Sequence, residues 1–189
     1  MPNLYVIAGC NGAGKTTTSY TVLPEMLDCK EFVNADEIAR GLSPFQPETV
    51  SFQAGRIMLN RIKELLKEGG DFGFETTLAT LSHAPLIRHA KALGYSVVLI
   101  FFWLESVDLA KNRVRERVKN GGHSIPESTI ERRYHRGLTN FFNLYQTLSD
   151  TWIVYDNSKI VPSPLAKGGG SVVAHVYNND IWQRINVIG

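Results

Sequence analysis

Two periods of apolar residues alternate along the chain. Compact apolar runs occur at Leu4–Ala8, at Glu31–Asp36 with a polar exit, at Asp71–Thr77, at Tyr95–Leu104 and at Trp152–Tyr155. They are short and rich in β-branched and aromatic residues, which predicts strands buried on both faces. Between them the spacing changes to three and four. From Thr49, Ala54, Ile57, Met58, Ile62, Leu65 and Leu66 form one stripe of a long helix that Gly69-Gly70 ends. Ser82-His83-Ala84-Pro85 opens another helix, with Gly94 as its stop. Ser106 caps a third, which Asn120-Gly121-Gly122 breaks.

Ser124-x-x-Glu127 reads as a capping box for a helix running to about Leu148. The helix after Lys15 is expected to stop before Pro24. Gly41–Pro47 and the glycine-rich Ser163–Gly170 read as loops, the second a mobile one. Ser171–Tyr177 reads as an edge strand or hairpin partner, and Asp180–Val187 as a short terminal helix. No internal repeat interrupts the pattern. Strands alternating with helices predict one α/β domain over residues 1–189, in three layers around a mainly parallel sheet of five to six strands. In such sheets ligands gather at the carboxyl ends of the strands, so the residues leaving each strand carry the interest.

The first exit is Gly9-Cys10-Asn11-Gly12-Ala13-Gly14-Lys15-Thr16, a strand running into Gly-x-x-x-x-Gly-Lys-Thr and then a helix. This is the phosphate-cradling P-loop. Backbone N–H groups from Gly9 through Thr17, with Asn11, Gly12, Ala13 and Gly14 in the curl, would surround the phosphates of ATP. Lys15 would reach the β- and γ-phosphates, and the Thr16 hydroxyl would hold Mg²⁺. The second exit places Asp36 where a phosphoryl-transfer enzyme needs a carboxylate to accept a proton; the structural alternative is a helix N-cap. The third places Glu75, with Thr76 and Thr77, beside the P-loop, suited to water-mediated magnesium binding or to a substrate hydroxyl.

Arg113 and Arg117 share one helical face, and Arg132, Arg133 and Arg136 follow across the Gly121-Gly122 break. Together they read as a phosphate-closing lid over residues 106–136, since the arginine fork clamps phosphate oxygens. The alternative is a solvated basic face with Glu116 and Glu131 as partners. His123 sits in the turn.

Composition narrows the rest. The 189 residues carry a formal charge of +2, with 43% hydrophobic and 20% charged residues, so no strong basic field points to nucleic acid or membrane. Cys10 and Cys29 make no disulfide framework, which suits a reduced, cytoplasmic setting. No apolar run approaches membrane-spanning length, no signal peptide is recognised, and the histidines and cysteines lack zinc spacing.

Taken together, Ala8–Thr16, Val33-Asn34-Ala35-Asp36-Glu37-Ile38-Ala39, Phe74-Glu75-Thr76-Thr77-Leu78 and Gly121-Gly122-His123-Ser124-Ile125-Pro126 with Arg132-Arg133-Tyr134 resemble the zeta-toxin family of P-loop kinases. The likeness extends through Tyr155-Asp156-Asn157-Ser158. It implies ATP- and Mg²⁺-dependent phosphorylation of a hydroxyl of UDP-N-acetylglucosamine, and a small helical antitoxin as partner. By position it implies nucleotide and metal roles for Lys15 and Thr16, hydroxyl activation by Asp36, substrate contacts from Glu75 and Thr77, and phosphate contacts from Arg113. Two positions depart: a second lid arginine falls near His123, leaving Arg132 or Arg133 to supply that charge, and a substrate-binding arginine falls on Ala79. The residues leave open another sugar, metabolite or nucleotide as acceptor, and a nucleotide-dependent switch with little transfer activity.

Overall fold

The computed structural model describes all residues except His123 and Gly189. The described elements are, in order, β1 (Asn3–Gly9), α1 (Lys15–Thr21), β2 (Glu31–Val33), α2 (Ala35–Leu42), α3 (Ser51–Glu68), β3 (Phe72–Thr76), α4 (Ala84–Ala92) and β4 (Ser96–Trp103). Then come α5 (Val107–Lys119), α6 (Glu127–Asn140), α7 (Gln146–Leu148), β5 (Thr151–Asp156), β6 (Ser163–Gly169), β7 (Val172–Val176) and α8 (Asn179–Ile188). The strands form one sheet in the order β2-β3-β1-β4-β5-β6-β7. Pairings from β2 through β5 are parallel; β5–β6 and β6–β7 are antiparallel.

Alternation in β1 shows why both faces must be covered. Leu4, Val6 and Ala8 enter one core with α3, α4, α6 and α8. Tyr5 and Ile7 enter the other, with Leu23, Ala110, Val114 and Ile130. A strand apolar at every position can be stable only between two helical layers. No helix among the described residues is long and apolar enough to cross a membrane.

The sheet is larger than expected because Ser163–Gly169 is a strand and not a mobile loop. Gly168 lies opposite Trp152, and a Cβ there would run into the Val172 carbonyl and come within 2.5 Å of the Trp152 ring. The glycine therefore makes room for a tryptophan. Trp152 is fully buried and stacks on Trp182 of α8, with ring centroids 5.8 Å apart, so the hairpin and terminal helix close one end of the core.

Three further expectations need correction. The chain continues through Pro24 as a π-helical turn over Val22–Met26, closed by Leu27 N donating to Val22 O at 3.1 Å. The wider turn accommodates a residue without an N–H. The capping box does not form: α6 opens at Glu127 behind an extended Pro126, and Arg115 Nε takes the Glu127 carboxylate at 3.0 Å. α6 passes through a second π-helical turn at Phe141–Tyr145 before α7.

Candidate active site

The loop after β1 turns on glycines because its neighbours leave no room for a side chain: Gly9 faces the Phe102 carbonyl and Gly12 the Ala110 carbonyl. Gly14 has φ +80°, and a Cβ there would sit 2.5 Å from Asn157 Nδ2. That amide donates to Ala13 O at 2.7 Å, from an asparagine 7% exposed at the exit of β5. Two strand exits are thus tied together, and the amides of the curl face an adjoining cleft of about 250 Å³. Asn11, Gly12, Gly14, Lys15, Thr16, Thr17, Asp36, Glu75, Arg113 and Arg117 line it. Gly9 and Ala13 shape the loop from behind, Ala13 being fully buried.

Lys15 is buried, donates to Cys10 O at 2.9 Å and lies 3.4 Å from Glu75 Oε1. The other oxygen of Glu75 accepts from Thr16 Oγ1 at 2.6 Å and from Asn34 Nδ2 at 2.9 Å. β3 neighbours β1 in parallel, with Ile7 opposite Glu75 and Ala8 opposite Thr76, which carries the carboxylate to the loop. Thr16 Oγ1 and Glu75 Oε2 are two hard oxygen donors side by side. That donor set fits Mg²⁺, which takes one or two protein oxygens and keeps its waters. Among the described residues no group of three or more His, Cys, Asp or Glu could hold a metal. Cys10, behind the loop, is pushed up to about 11 by burial and stays a thiol.

Asp36 is not the N-cap of α2. Asn34 takes that role, its Oδ1 accepting from Asp36 N at 2.8 Å and Glu37 N at 3.4 Å. With Asn34 as the cap, Asp36 stands in the first turn of the helix and lines both clefts. The same asparagine also grips Glu75, so one residue orients two helical N–H groups and the acid of β3.

A second cavity of about 400 Å³ adjoins the phosphate cleft. Asn11, Lys15, Asp36 and Glu75 line both spaces. The second is completed by Phe52, Arg56 and Met58 from α3, by Thr77, Ser82 and His83 after β3, and by Arg133 from α6. Burial lowers the pKa of His83, whose ring lies 5.2 Å from that of Phe74.

The arginines divide. Arg113 and Arg117 line the phosphate cleft, and Arg113 donates to Asn157 O at 2.8 Å and Ser158 O at 3.0 Å. Arg132 is exposed and lines neither space. Arg133, one residue on, donates to Asn11 Oδ1 at 3.0 Å. Burial lowers its pKa while the nearby Asp36 raises it, and as an arginine it remains a cation. His123 lies outside the described residues, and Ala79 contributes only its backbone N–H, donated to Thr77 Oγ1 at 3.4 Å.

Sequence reasoning missed Asn34 and Asn157. Asn34 had a signal, a capping asparagine followed by acids in the first turn. Asn157 had only its place after a strand.

Comparison with known proteins gives consistent results. The family model described as Zeta toxin matches residues 1–162. An uncharacterized protein of Haemophilus influenzae is 31% identical over 128 residues, covering 67% of this chain and 88% of the relative. Among solved structures, the AvrRxo1-ORF1:AvrRxo1-ORF2 complex with sulphate ions superposes with a TM-score of 0.73 at 15% identity, over 98% of this chain and 63% of that one. The same complex has been solved with ATP. The PezAT toxin–antitoxin system of Streptococcus pneumoniae gives a TM-score of 0.65 at 17% identity, over 88% and 72% of the two chains. At such identities the structural likeness speaks for the P-loop kinase fold.

Proposed function

Because this chain is a P-loop phosphotransferase belonging to the zeta toxin family, we propose that it moves the γ-phosphoryl group of ATP onto a hydroxyl of a small molecule held in the second cavity. The observation that carries this reading is the shared wall. Asp36, Glu75, Lys15 and Asn11 line both the phosphate cleft and the larger cavity. A transfer enzyme needs its donor and acceptor spaces to meet at a base and a cation.

The loop amides and Lys15 bind the triphosphate and draw off its charge. Thr16 and Glu75 would hold Mg²⁺, which supplies further neutralisation at the phosphates. The acceptor hydroxyl lies toward Asp36, which takes its proton as the oxygen attacks the γ-phosphorus. The bond to the β-phosphate breaks and ADP leaves. Glu75 and Thr77 orient the acceptor. Arg117 and Arg133 bring cations over the donor and the junction, while Arg113 secures the loop at Asn157 and Ser158. Residues 106–136 form the lid, and Arg133 replaces Arg132 in it.

The family supports UDP-N-acetylglucosamine as the acceptor and a cytoplasmic site of action. The toxin–antitoxin system among the structural neighbours supports a protein antitoxin as partner. The test is ADP release with Mg²⁺, ATP and a panel of sugar nucleotides, free sugars and polyols, with mass spectrometry of the product. Asp36→Asn is expected to lower kcat about 10²- to 10⁴-fold with ATP affinity retained. Unchanged turnover in that variant would remove Asp36 as the base, and ATP binding without phosphorylation of any acceptor would favour a switch.

A further inference from the structure

β2 is the end strand of the sheet. It pairs with β3 and, among the described residues, with no strand on its other side. Along that open side runs a groove of about 900 Å³. Its walls come from both helical layers. Tyr20 and Leu23, from α1 and the turn after it, stand on one side; Ile38 and Ile57, from α2 and α3, stand on the other. β2 divides its own side chains in the same way. Phe32 packs with the core that holds Leu23, and Val33 belongs to the core of Met58 and Ile62. The groove therefore occupies the place of a further strand, between the two layers that cover β1.

Both walls leave apolar surface in water. Tyr20 is 58% and Ile57 38% exposed, and the Tyr20 ring meets that of Phe32 edge to face at 6.2 Å. The α3 side is also acidic. Arg61 is shared by Glu31, Glu64 and Glu68 at 3.0, 3.3 and 3.0 Å, and three carboxylates against one guanidinium leave two negative charges in excess. The remaining charges of the wall are matched, Lys30 by Asp28 and Glu37 by Arg40.

We propose that this groove binds an extended segment of another protein, which adds to β2 as the next strand. A small ligand would cover the apolar walls but leave the main-chain groups of the strand edge without strand partners; an added strand meets both needs. Strand alternation sets the chemistry of the segment. One set of its side chains is apolar and lies against Tyr20, Leu23 and Phe32. The other set is Lys or Arg, whose stems cover Ile38 and Ile57 while their charges meet Glu31 and Glu64.

Fluorescence anisotropy with the full chain tests this. The probe is a labelled hexapeptide alternating valine and arginine. One control carries glutamate in place of arginine; two others carry N-methyl groups, on the valines or on the arginines. The valine–arginine peptide is expected to bind saturably, and the glutamate peptide about tenfold or more weaker. Alternate N–H groups of a strand point to opposite edges, so one N-methyl pattern should abolish binding and the other should spare it. Ile57→Asp should weaken the valine–arginine peptide by about tenfold, and Glu64→Lys should narrow the gap between the arginine and glutamate peptides. Both positions are partly exposed and lie outside the phosphate cleft, so retained ATP binding shows that the variants are folded. Absence of saturable binding, equal binding of the two N-methylated peptides, or unchanged affinity in Ile57→Asp would each overturn the proposal. Turnover enters none of these readings, so the transfer reading stands or falls separately.

Discussion

Replacing Glu75 by glutamine is expected to tighten binding of metal-free ATP by about ten- to a hundredfold. In the free protein the carboxylate occupies both groups the phosphates need: it accepts from Thr16 at 2.6 Å and lies 3.4 Å from the Lys15 ammonium. The two side chains of that pair are 11% and 6% exposed, so water screens them little. Unit charges at this separation attract by about 5 kcal/mol at an effective dielectric near 20. Taking both ions out of water cancels much of that, leaving about 1.4–2.8 kcal/mol for an incoming triphosphate to overcome. Glutamine preserves one oxygen for Thr16 and Asn34 but turns an NH₂ toward Lys15, which frees the lysine. Isothermal titration of ATP in EDTA, and again with Mg²⁺, reads both halves. The variant should gain in EDTA and lose most of the enhancement that magnesium gives the wild type, because the carboxylate that required it is gone. If Glu75→Gln binds metal-free ATP no more tightly than wild type, the carboxylate does not compete with phosphate for Lys15.

Asn157→Ala removes a buried amide from Ala13 O and leaves that carbonyl without the partner it has now; a loss of about 2 kcal/mol in denaturant unfolding, with weaker ATP binding, is expected. Unchanged ATP affinity would show that the loop keeps its shape without this tie. Gly168→Ala would drive a methyl into the Val172 carbonyl and the Trp152 ring, and should cost about 2–3 kcal/mol; a variant as stable as wild type would mean that β6 shifts freely. His83 has its pKa lowered by burial, so its full contribution to stability is present above the ordinary histidine value of 6.5 and is lost as pH falls through the folded-state value. His83→Asn should therefore flatten the fall in stability below about pH 6.5 relative to wild type, measured by urea unfolding across pH; parallel acid limbs would rule out His83 as a contributor.

The parallel half of the fold was readable because burial on both faces leaves a mark that the chain cannot disguise. β1 and β4 are apolar at nearly every position, and only a two-sided core explains that. The antiparallel half left no such mark. β7 is exposed along most of its length, and β6 carries glycines that composition alone assigns to a loop. The deciding fact there is the size of Trp152, a residue sixteen positions earlier, whose ring needs a strand without side chains opposite it. Local propensity cannot contain that constraint.

The site divides along the same line. Lys15, Thr16, Asp36 and Glu75 are legible because each leaves a strand of the parallel sheet, and the strand order 2-3-1 brings those exits together. The arginines are set by helix rotation instead. Arg132 and Arg133 differ by one position, so about 100° of rotation separates them on α6. The end of the Ser124-x-x-Glu127 pattern as a cap moves the helix start to Glu127, and Ile130 and Leu138, both nearly fully buried, then orient α6 against the two cores. With those positions inward, Arg133 faces Asn11 and Arg132 faces water. Which arginine reaches the loop is thus decided by two buried side chains on the same helix, and only packing against the sheet reveals it.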